Sequence, residues 1–168
     1  WTQSVDIYTS VTTGTFDFRI SNIVVDNANG ATITPVYYDG QTWGVTVTDT
    51  YPGWKGWITV THQNAGTVAL KFNTFQVLNL VADDWTMLNA YTLKFYPGTY
   101  ATPGTENIAG TLYNFQTLQY YDWYIAPYEI KMAPGTLHDS LVSLELGDIT
   151  DNYNSPVTFI FRQTAIQA

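Results

Sequence analysis

The sequence predicts an all-β protein, an antiparallel sandwich or barrel with at most one short helix. Three observations lead to this fold class: a composition rich in branched and aromatic residues, apolar residues at every second position, and turn dipeptides at short intervals. Branched and aromatic side chains suit a pleated, half-buried surface. Short alternating runs separated by turns are typical of antiparallel sheets.

Alternating runs mark the expected strands. Because successive side chains of a strand point to opposite faces, each run defines one side that is expected to face the core. These core-facing sets are Phe16, Phe18 and Ile20; Trp43, Val45 and Val47; Ile58, Val60 and His62; Val68, Leu70 and Phe72; and Val157, Phe159 and Phe161. Residues 74–89 also fit a helical stripe, so the one short helix is allowed there.

Glycine dipeptides separate the runs. Asn29-Gly30 and Asp39-Gly40 are typical of two-residue hairpin turns, where positive φ is needed. Four proline–glycine pairs predict type II turns, because proline presets the second turn position and glycine accepts positive φ at the third. They are Pro52-Gly53, Pro97-Gly98, Pro103-Gly104 and Pro134-Gly135.

Length and charge restrict the organisation. A chain of 168 residues predicts a single domain over residues 1–168. Its net charge of −8 disfavours phosphate backbones, so no nucleic-acid partner is expected. No apolar run approaches the ~20 residues of a membrane helix, so no membrane span is expected in the mature chain. The chain begins on Trp1, from which we expect a removed signal peptide and secretion.

The sequence offers no catalytic motif, and we expect neither enzymatic activity nor a cofactor. It has no cysteine, and its two histidines, His62 and His138, lack a metalloprotease spacing. On the apolar side of its strand, His62 is more readily a structural residue than a catalyst. Residues 148–154 contain the oxygen-bearing side chains Asp148, Asp151, Asn152 and Asn154. A plain loop is favoured there, no metal site is predicted, and calcium binding is left open.

The first eleven residues, Trp1–Val11, have a strand pattern and precede a break at residues 12–14, which we expect to be flexible. The odd positions are Trp1, Gln3, Val5, Ile7, Thr9 and Val11. One interpretation is an ordinary first strand within its own sandwich. The other is a donor strand that completes a neighbour's sheet, with backbone pairing for affinity and side-chain pockets for register. The residues alone favour the first.

Exposed aromatic residues suggest a second function, a secreted monomeric carbohydrate-binding sandwich. Trp54 and Trp57 are three residues apart, so a strand would place them on opposite faces, which is poor for a shared platform. In residues 120–125, Tyr121 and Trp123 share one face, and Tyr120 and Tyr124 share the other. One of these faces is expected in the core. The second is a candidate sugar platform, a candidate subunit contact, or an ordinary amphipathic surface of the kind that tyrosine tolerates.

Several segments together resemble the TasA/camelysin family of fibre proteins, closest in character to archaeal bundling pilus subunits. Most of the chain is covered in order, although residues 80–130 are not distinctive. The matching segments are Trp1–Ile20 with its Gly14-Thr15-Phe16-Asp17-Phe18 core, Tyr51-Pro52-Gly53, Ile58–Thr67, Ala133–Thr136, Leu141–Leu146 and Val157–Arg162.

The resemblance implies a jelly-roll-like sandwich whose N-terminal strand inserts into the next subunit. For Trp1–Val11 it therefore favours the donor strand over an ordinary first strand. It implies an extracellular, biofilm-matrix or pilus-like homopolymer, with neighbouring filaments as further partners in bundles. The metallopeptidase activity ascribed to camelysins is not carried over, because the ligands are missing. As the candidate acceptor groove we take the apolar faces of the second and last strands, Phe16, Phe18, Ile20, Val157, Phe159 and Phe161.

Overall fold

The computed structural model describes residues 14–82, 90–106, 108–111, 121–122, 130–148 and 156–168. They form eleven strands. In chain order these are β1 (Phe18–Asn27), β2 (Thr32–Tyr37), β3 (Thr42–Thr48), β4 (Lys55–Asn64), β5 (Leu70–Ala82), β6 (Tyr91–Pro97), β7 (Ile108–Thr111), β8 (Tyr121–Asp122), β9 (Lys131–Met132), β10 (Leu137–Leu146) and β11 (Val157–Gln167).

The strands form two antiparallel sheets packed face to face, which confirms the predicted all-β sandwich. The first sheet has the order β1-β4-β10-β6-β7, and the second has the order β2-β3-β11-β5-β8, with β9 also paired to β5. Residues 74–82, which also fitted a helical stripe, belong to the long strand β5. Strands β1 and β2 are edge strands of the two sheets, although they follow each other in the chain.

The core lies between the sheets and is rich in aromatic rings. Phe75 of β5 meets Phe95 of β6 with ring centroids 4.5 Å apart, and Tyr91 of β6 meets Phe159 of β11 at 5.1 Å. Each fully buried large side chain contributes about 1.5–3 kcal/mol. The largest fully buried side chains are Trp43, Trp54, Tyr91, Phe72, Phe75, Phe95, Phe159 and Phe161.

Three of the four proline–glycine pairs have the positive φ of a type II turn. Gly53, Gly98 and Gly135 have φ of 81°, 103° and 78°, whereas Gly104 does not have positive φ. The Trp54 N–H donates to the Tyr51 carbonyl at 2.9 Å, and the Thr136 N–H donates to the Ala133 carbonyl at 3.2 Å, closing two of these turns.

The Asn-Gly pair also turns as predicted, but it does not form a hairpin. Asn29 and Gly30 have φ of 47° and 86°, and the Ala31 N–H donates to the Ala28 carbonyl at 3.0 Å. The turn connects β1 in one sheet with β2 in the other. It therefore carries the chain between the layers of the sandwich, where the sequence predicts a pair of neighbouring strands. Asp39-Gly40, by contrast, lies in a four-residue loop between the paired strands β2 and β3.

Candidate functional site

An open cleft lies between the edge strands β1 and β2. Its volume is about 260 Å³, and it is lined by Ser21, Asn22 and Ile23 of β1 and by Pro35 and Tyr37 of β2. Pro35 has no N–H group and therefore cannot donate a ladder hydrogen bond, which is why proline in sheets is confined largely to edge strands. The Tyr37 side chain is 57% exposed. The cleft therefore contains an exposed aromatic ring. The two strand edges beside it differ, because β2 lacks a backbone N–H group at Pro35.

The backbone of β1 is regular only in its middle. Its pairing with β4 shifts register between Ile20 and Asn22 and again between Val25 and Asn27, so Ser21 and Asp26 are extra residues. Such β-bulges bend an edge strand and interrupt its pairing. The second bulge is held by the Thr59 hydroxyl, which donates to an Asp26 carboxylate oxygen at 2.6 Å. The stretch Asn22–Val25 thus remains as a regular ladder between the two bulges.

Apolar side chains form the floor of the open edge. Ile23 and Val25 pack against the core but are only half-buried, because among the described residues β1 has no strand beyond it in the sheet order. Val24 between them points to the outer face of the sheet and is 42% exposed. Sequence reasoning missed Ile23 and Val25, although the unbroken run Ile23-Val24-Val25, which does not alternate with polar residues, was an available signal.

The N-terminal segment joins the sandwich at the turn between β4 and β5. The Thr67 N–H donates to the Thr15 carbonyl at 2.9 Å, and the Ala65 N–H donates to the Asp17 carbonyl at 2.8 Å. A Cβ atom on Gly66 would collide with the Thr15 carbonyl and lie 2.8 Å from the Asp17 nitrogen, so this close approach requires glycine. Residues 15–17 are therefore fixed to the domain just before β1 begins.

Of the residues that the sequence assigned to assembly, the structure describes only the candidate acceptor side chains. The donor residues Trp1, Gln3, Val5, Ile7, Thr9 and Val11 lie outside the described residues, as do Thr12 and Thr13 of the break. Of the candidate acceptor side chains, Phe18, Ile20, Val157, Phe159 and Phe161 are buried in the core, and Phe16 is 46% exposed because it precedes β1.

The two strands of the candidate groove differ in their pairing. Residues Val157–Arg162 of β11 pair with β3 on one side and with β5 on the other. Their backbone groups are therefore already engaged in the sheet. Within the part of the chain that the structure describes, β1 pairs with β4 alone, and the Ile20 N–H on its other side donates to the Gly40 carbonyl at 2.7 Å. Of these two strands, β1 is the one with an edge that an incoming strand can pair with.

His62, the histidine on the apolar side of β4, is fully buried. Its ring stacks on Phe18 at 4.8 Å and meets Phe72 edge-on at 5.3 Å, and neither ring nitrogen has a hydrogen-bond partner. His138 lies directly opposite on β10. Burial, and secondarily the nearby His138, lower the pKa of His62 to about 3. Burial also lowers the pKa of His138, against the opposing effect of Asp139. Both imidazoles are therefore neutral packing groups near neutral pH.

As the pH falls, the fold is expected to lose stability through His62 before it does so through Asp17 and Asp39. The pKa of His62 in the folded state, about 3, lies below the unfolded value of 6.5, so the unfolded chain binds the proton more tightly. Stability is then lost as pH falls below 6.5, by up to about 1.4 kcal/mol per pH unit. Asp17 and Asp39 have lowered pKa values, so their contributions are lost only at more acidic pH.

Urea unfolding at pH 7.0, 5.5 and 4.5 checks this expectation. A His62→Phe variant keeps a ring between Phe18 and Phe72 and removes the titration. Between pH 7.0 and 4.5 its free energy of unfolding should therefore fall by about 2–3 kcal/mol less than that of the wild type. The matched control is Gln63→Ala, on the opposite, outer face of the same strand. Equal losses in the His62→Phe variant and the wild type would contradict the role of His62.

Metal-ligand geometry is not found in the part of the chain that the structure describes. No group of three or more His, Asp or Glu side chains there is arranged to hold a metal ion. Of the oxygen-rich loop, Asp148 is described, and Asp151, Asn152 and Asn154 lie outside the described residues. Within the same described ranges, no helix is long and apolar enough to span a membrane.

Comparisons with known proteins add no relative. No protein-family model matches the chain, and no curated protein matches it. By its fold, the protein is an antiparallel β-sandwich, and its cleft lies between the edge strands β1 and β2. The resemblance to fibre proteins stays a prediction from the sequence motifs.

Proposed function

We propose that this protein is an extracellular structural subunit that polymerises into filaments by donor-strand exchange. In this proposal the segment Trp1–Val11 leaves its own domain and completes the sheet of the next subunit at the β1 edge. One surface then meets a different surface of the neighbour, so the contact does not close on itself and repeats into a filament.

The observation that carries the proposal is the way the N-terminal segment is joined to the fold. Thr15 and Asp17 are held by backbone hydrogen bonds to the β4–β5 turn, immediately before an edge strand. The strand-patterned residues 1–11 therefore precede a point at which the chain is fixed to the domain. Extended at ~3.3 Å per residue, they reach about 36 Å, close to the ~33 Å length of a ten-residue strand such as β1.

The acceptor that we propose is the regular part of β1, Asn22–Val25, together with the cleft beside it. Alternate side chains of an incoming strand would cover the half-buried Ile23 and Val25. Val5 and Ile7 are the aliphatic donor residues for that role, and each fully buried aliphatic side chain contributes about 1.5–3 kcal/mol. Edge strands normally avoid such pairing. The bulges at Ser21 and Asp26 would restrict it to one short register.

Cysteine cross-linking tests both the filament and its acceptor edge, because the natural chain contains no cysteine. The variants carry Val5→Cys together with Ile23→Cys or Val25→Cys, the two core-facing positions of this stretch. A disulfide forms only where the two Cα atoms lie about 4.4–6.8 Å apart. After oxidation, at least one variant should give a ladder of covalent multimers on a non-reducing gel, and negative-stain microscopy of the same sample should show filaments.

The matched control combines Val5→Cys with Val24→Cys, whose side chain points to the outer face, and it should give no ladder. Cross-linked monomers in place of a ladder would mean that the segment pairs within its own domain. Filaments without any ladder would place the acceptor elsewhere. Monodisperse 18.9 kDa particles under every condition would reject filament assembly and favour the monomeric carbohydrate-binding alternative.

A further inference from the structure

An aromatic cluster lies on the outer face of the first sheet, away from the core and from the β1–β2 cleft. It consists of Trp57 on β4, Tyr96 on β6 and Tyr100 in the following loop. The Trp57 ring centroid is 5.8 Å from both tyrosine rings, with interplanar angles of 45° and 50°. Trp54 is completely buried in the core, so the two tryptophans occupy opposite faces as the spacing predicts.

Tyr100 is placed by a tightly folded loop. The Gly98 N–H donates to the Asp139 carbonyl at 2.8 Å, and Gly98 and Pro103 form an isolated β-bridge. Gly98 has φ of 103°, a conformation that other residues rarely adopt. The loop folds back over the sheet, and the Asn27 amide at the far edge donates to the Tyr100 hydroxyl at 3.3 Å. The ring is thus positioned although it is 42% exposed.

Two side chains of β10 on this outward side are buried next to the cluster. Leu141 and Ser143 of β10 alternate with core residues and face outward, yet they are only 1% and 0% exposed. Ser143 lies directly opposite Trp57, and Leu141 lies directly opposite Tyr96. The Ser143 hydroxyl is buried without a hydrogen-bond partner. An outer sheet face that carries only solvated side chains would leave these positions accessible to water.

The charges around the cluster are balanced. Lys55 lies 3.9 Å from a Glu145 carboxylate oxygen and 4.6 Å from the Trp57 ring centroid. Lys94 lies 3.9 Å from a Glu106 carboxylate oxygen. Because Lys55 and Lys94 are both paired and the chain has a net charge of −8, the surface offers no electrostatic attraction for an anionic ligand. The surface suits an uncharged ligand that has both apolar faces and hydrogen-bonding groups.

We propose that the Trp57–Tyr96–Tyr100 surface binds a neutral glycan chain. Sugar rings present apolar C–H faces that pack on aromatic rings, and their hydroxyls can reach Asn27, Lys55 and Glu145 around the cluster. Aromatic walls with a few placed polar groups are the usual lining of small-ligand sites. A stable protein partner needs about 800 Å² on each side, more than three partly exposed rings provide. Because the rings are tilted, a single glycan chain fits better than a flat crystalline polysaccharide.

Affinity gel electrophoresis of the full chain tests this site. The probes are three soluble neutral glycans (dextran, mannan and laminarin), anionic alginate, and microcrystalline cellulose in a pull-down. At least one soluble neutral glycan should retard the wild type. Tyr100→Ala should weaken that binding roughly tenfold, and Tyr100→Phe, which keeps the ring, should stay within about threefold. Tyr38→Ala, in the loop between β2 and β3, is the matched control for removal of an exposed tyrosine and should bind normally.

The proposal is overturned if no soluble neutral glycan binds, if only alginate or cellulose binds, or if Tyr100→Ala binds as well as the wild type. Equal losses in Tyr100→Ala and Tyr100→Phe would reject ring stacking, and a loss in Tyr38→Ala alone would move the site to the β2–β3 loop. Circular dichroism and the unfolding temperature of each variant show whether it is folded. Glycan binding can be separated from polymerisation, because an Ile7→Asp variant, which is expected not to form filaments, can be tested on the same gels.

Discussion

Replacing Ile7 by aspartate is expected to abolish filament assembly. In the proposed complex, Val5 and Ile7 share the apolar face of the donor strand and cover the half-buried Ile23 and Val25 of the neighbour. A carboxylate at residue 7 would have to leave water for an apolar contact, and an unpaired buried charge is strongly unfavourable. The isolated subunit should remain folded, because the described core begins at Phe18. Negative-stain microscopy and the fraction of protein that pellets measure the loss.

Matched changes at the neighbouring even positions separate this effect from general damage to the segment. Thr2→Ser and Ser4→Ala alter side chains on the opposite face of the predicted strand and should assemble normally. Wild-type yields of filament from the Ile7→Asp variant would contradict a donor role for this segment.

Removing residues 1–11 should give a folded subunit that cannot polymerise and that binds the missing segment when it is supplied as a peptide. The two sheets are formed by the strands from β1 onward, so the truncated chain keeps its core. A ligand that binds only the folded state at 100 times its dissociation constant stabilises by about 2.7 kcal/mol. For a domain of this size, that raises the unfolding temperature by roughly 5–10 °C. Calorimetry measures the shift, and the complex should remain monomeric.

The same peptide, in excess over the intact protein, should occupy free acceptor edges and shorten the filaments. A scrambled peptide of identical composition is the control, because register depends on which residues alternate. A truncated subunit with the stability of the full-length monomer and no response to the peptide would exclude donor-strand exchange by residues 1–11.

The sequence predicts the sandwich and much of its core because side-chain alternation in a strand is a local property. Val157, Phe159 and Phe161 are all completely buried, as their spacing indicates. The turns at Pro52-Gly53 and Pro134-Gly135 are equally local, since their backbone angles depend on two residues. Phe16 fits the same alternation and is nevertheless exposed, because alternation does not define where a strand begins.

The candidate sites are harder to predict because they depend on which strands become neighbours. The cleft combines β1 and β2, which the Asn29-Gly30 turn sends into different sheets. The aromatic cluster joins Trp57 to Tyr100 from a loop more than forty residues later, so only the tertiary fold shows that they meet. For the same reason, the sequence could not distinguish the edge position of β1 from the central position of β11.

The continuity of the N-terminal segment with β1 determines how tension would pass along the proposed filament. A pull on residues 1–13 reaches the domain through Thr15 and Asp17 and then runs along β1, which is also the strand that receives the preceding subunit. The force path therefore stays close to the β1 edge of the first sheet and the turn that joins β4 to β5. Because β1 is pulled along its own axis against the ten-residue strand β4, many hydrogen bonds resist together instead of opening one after another.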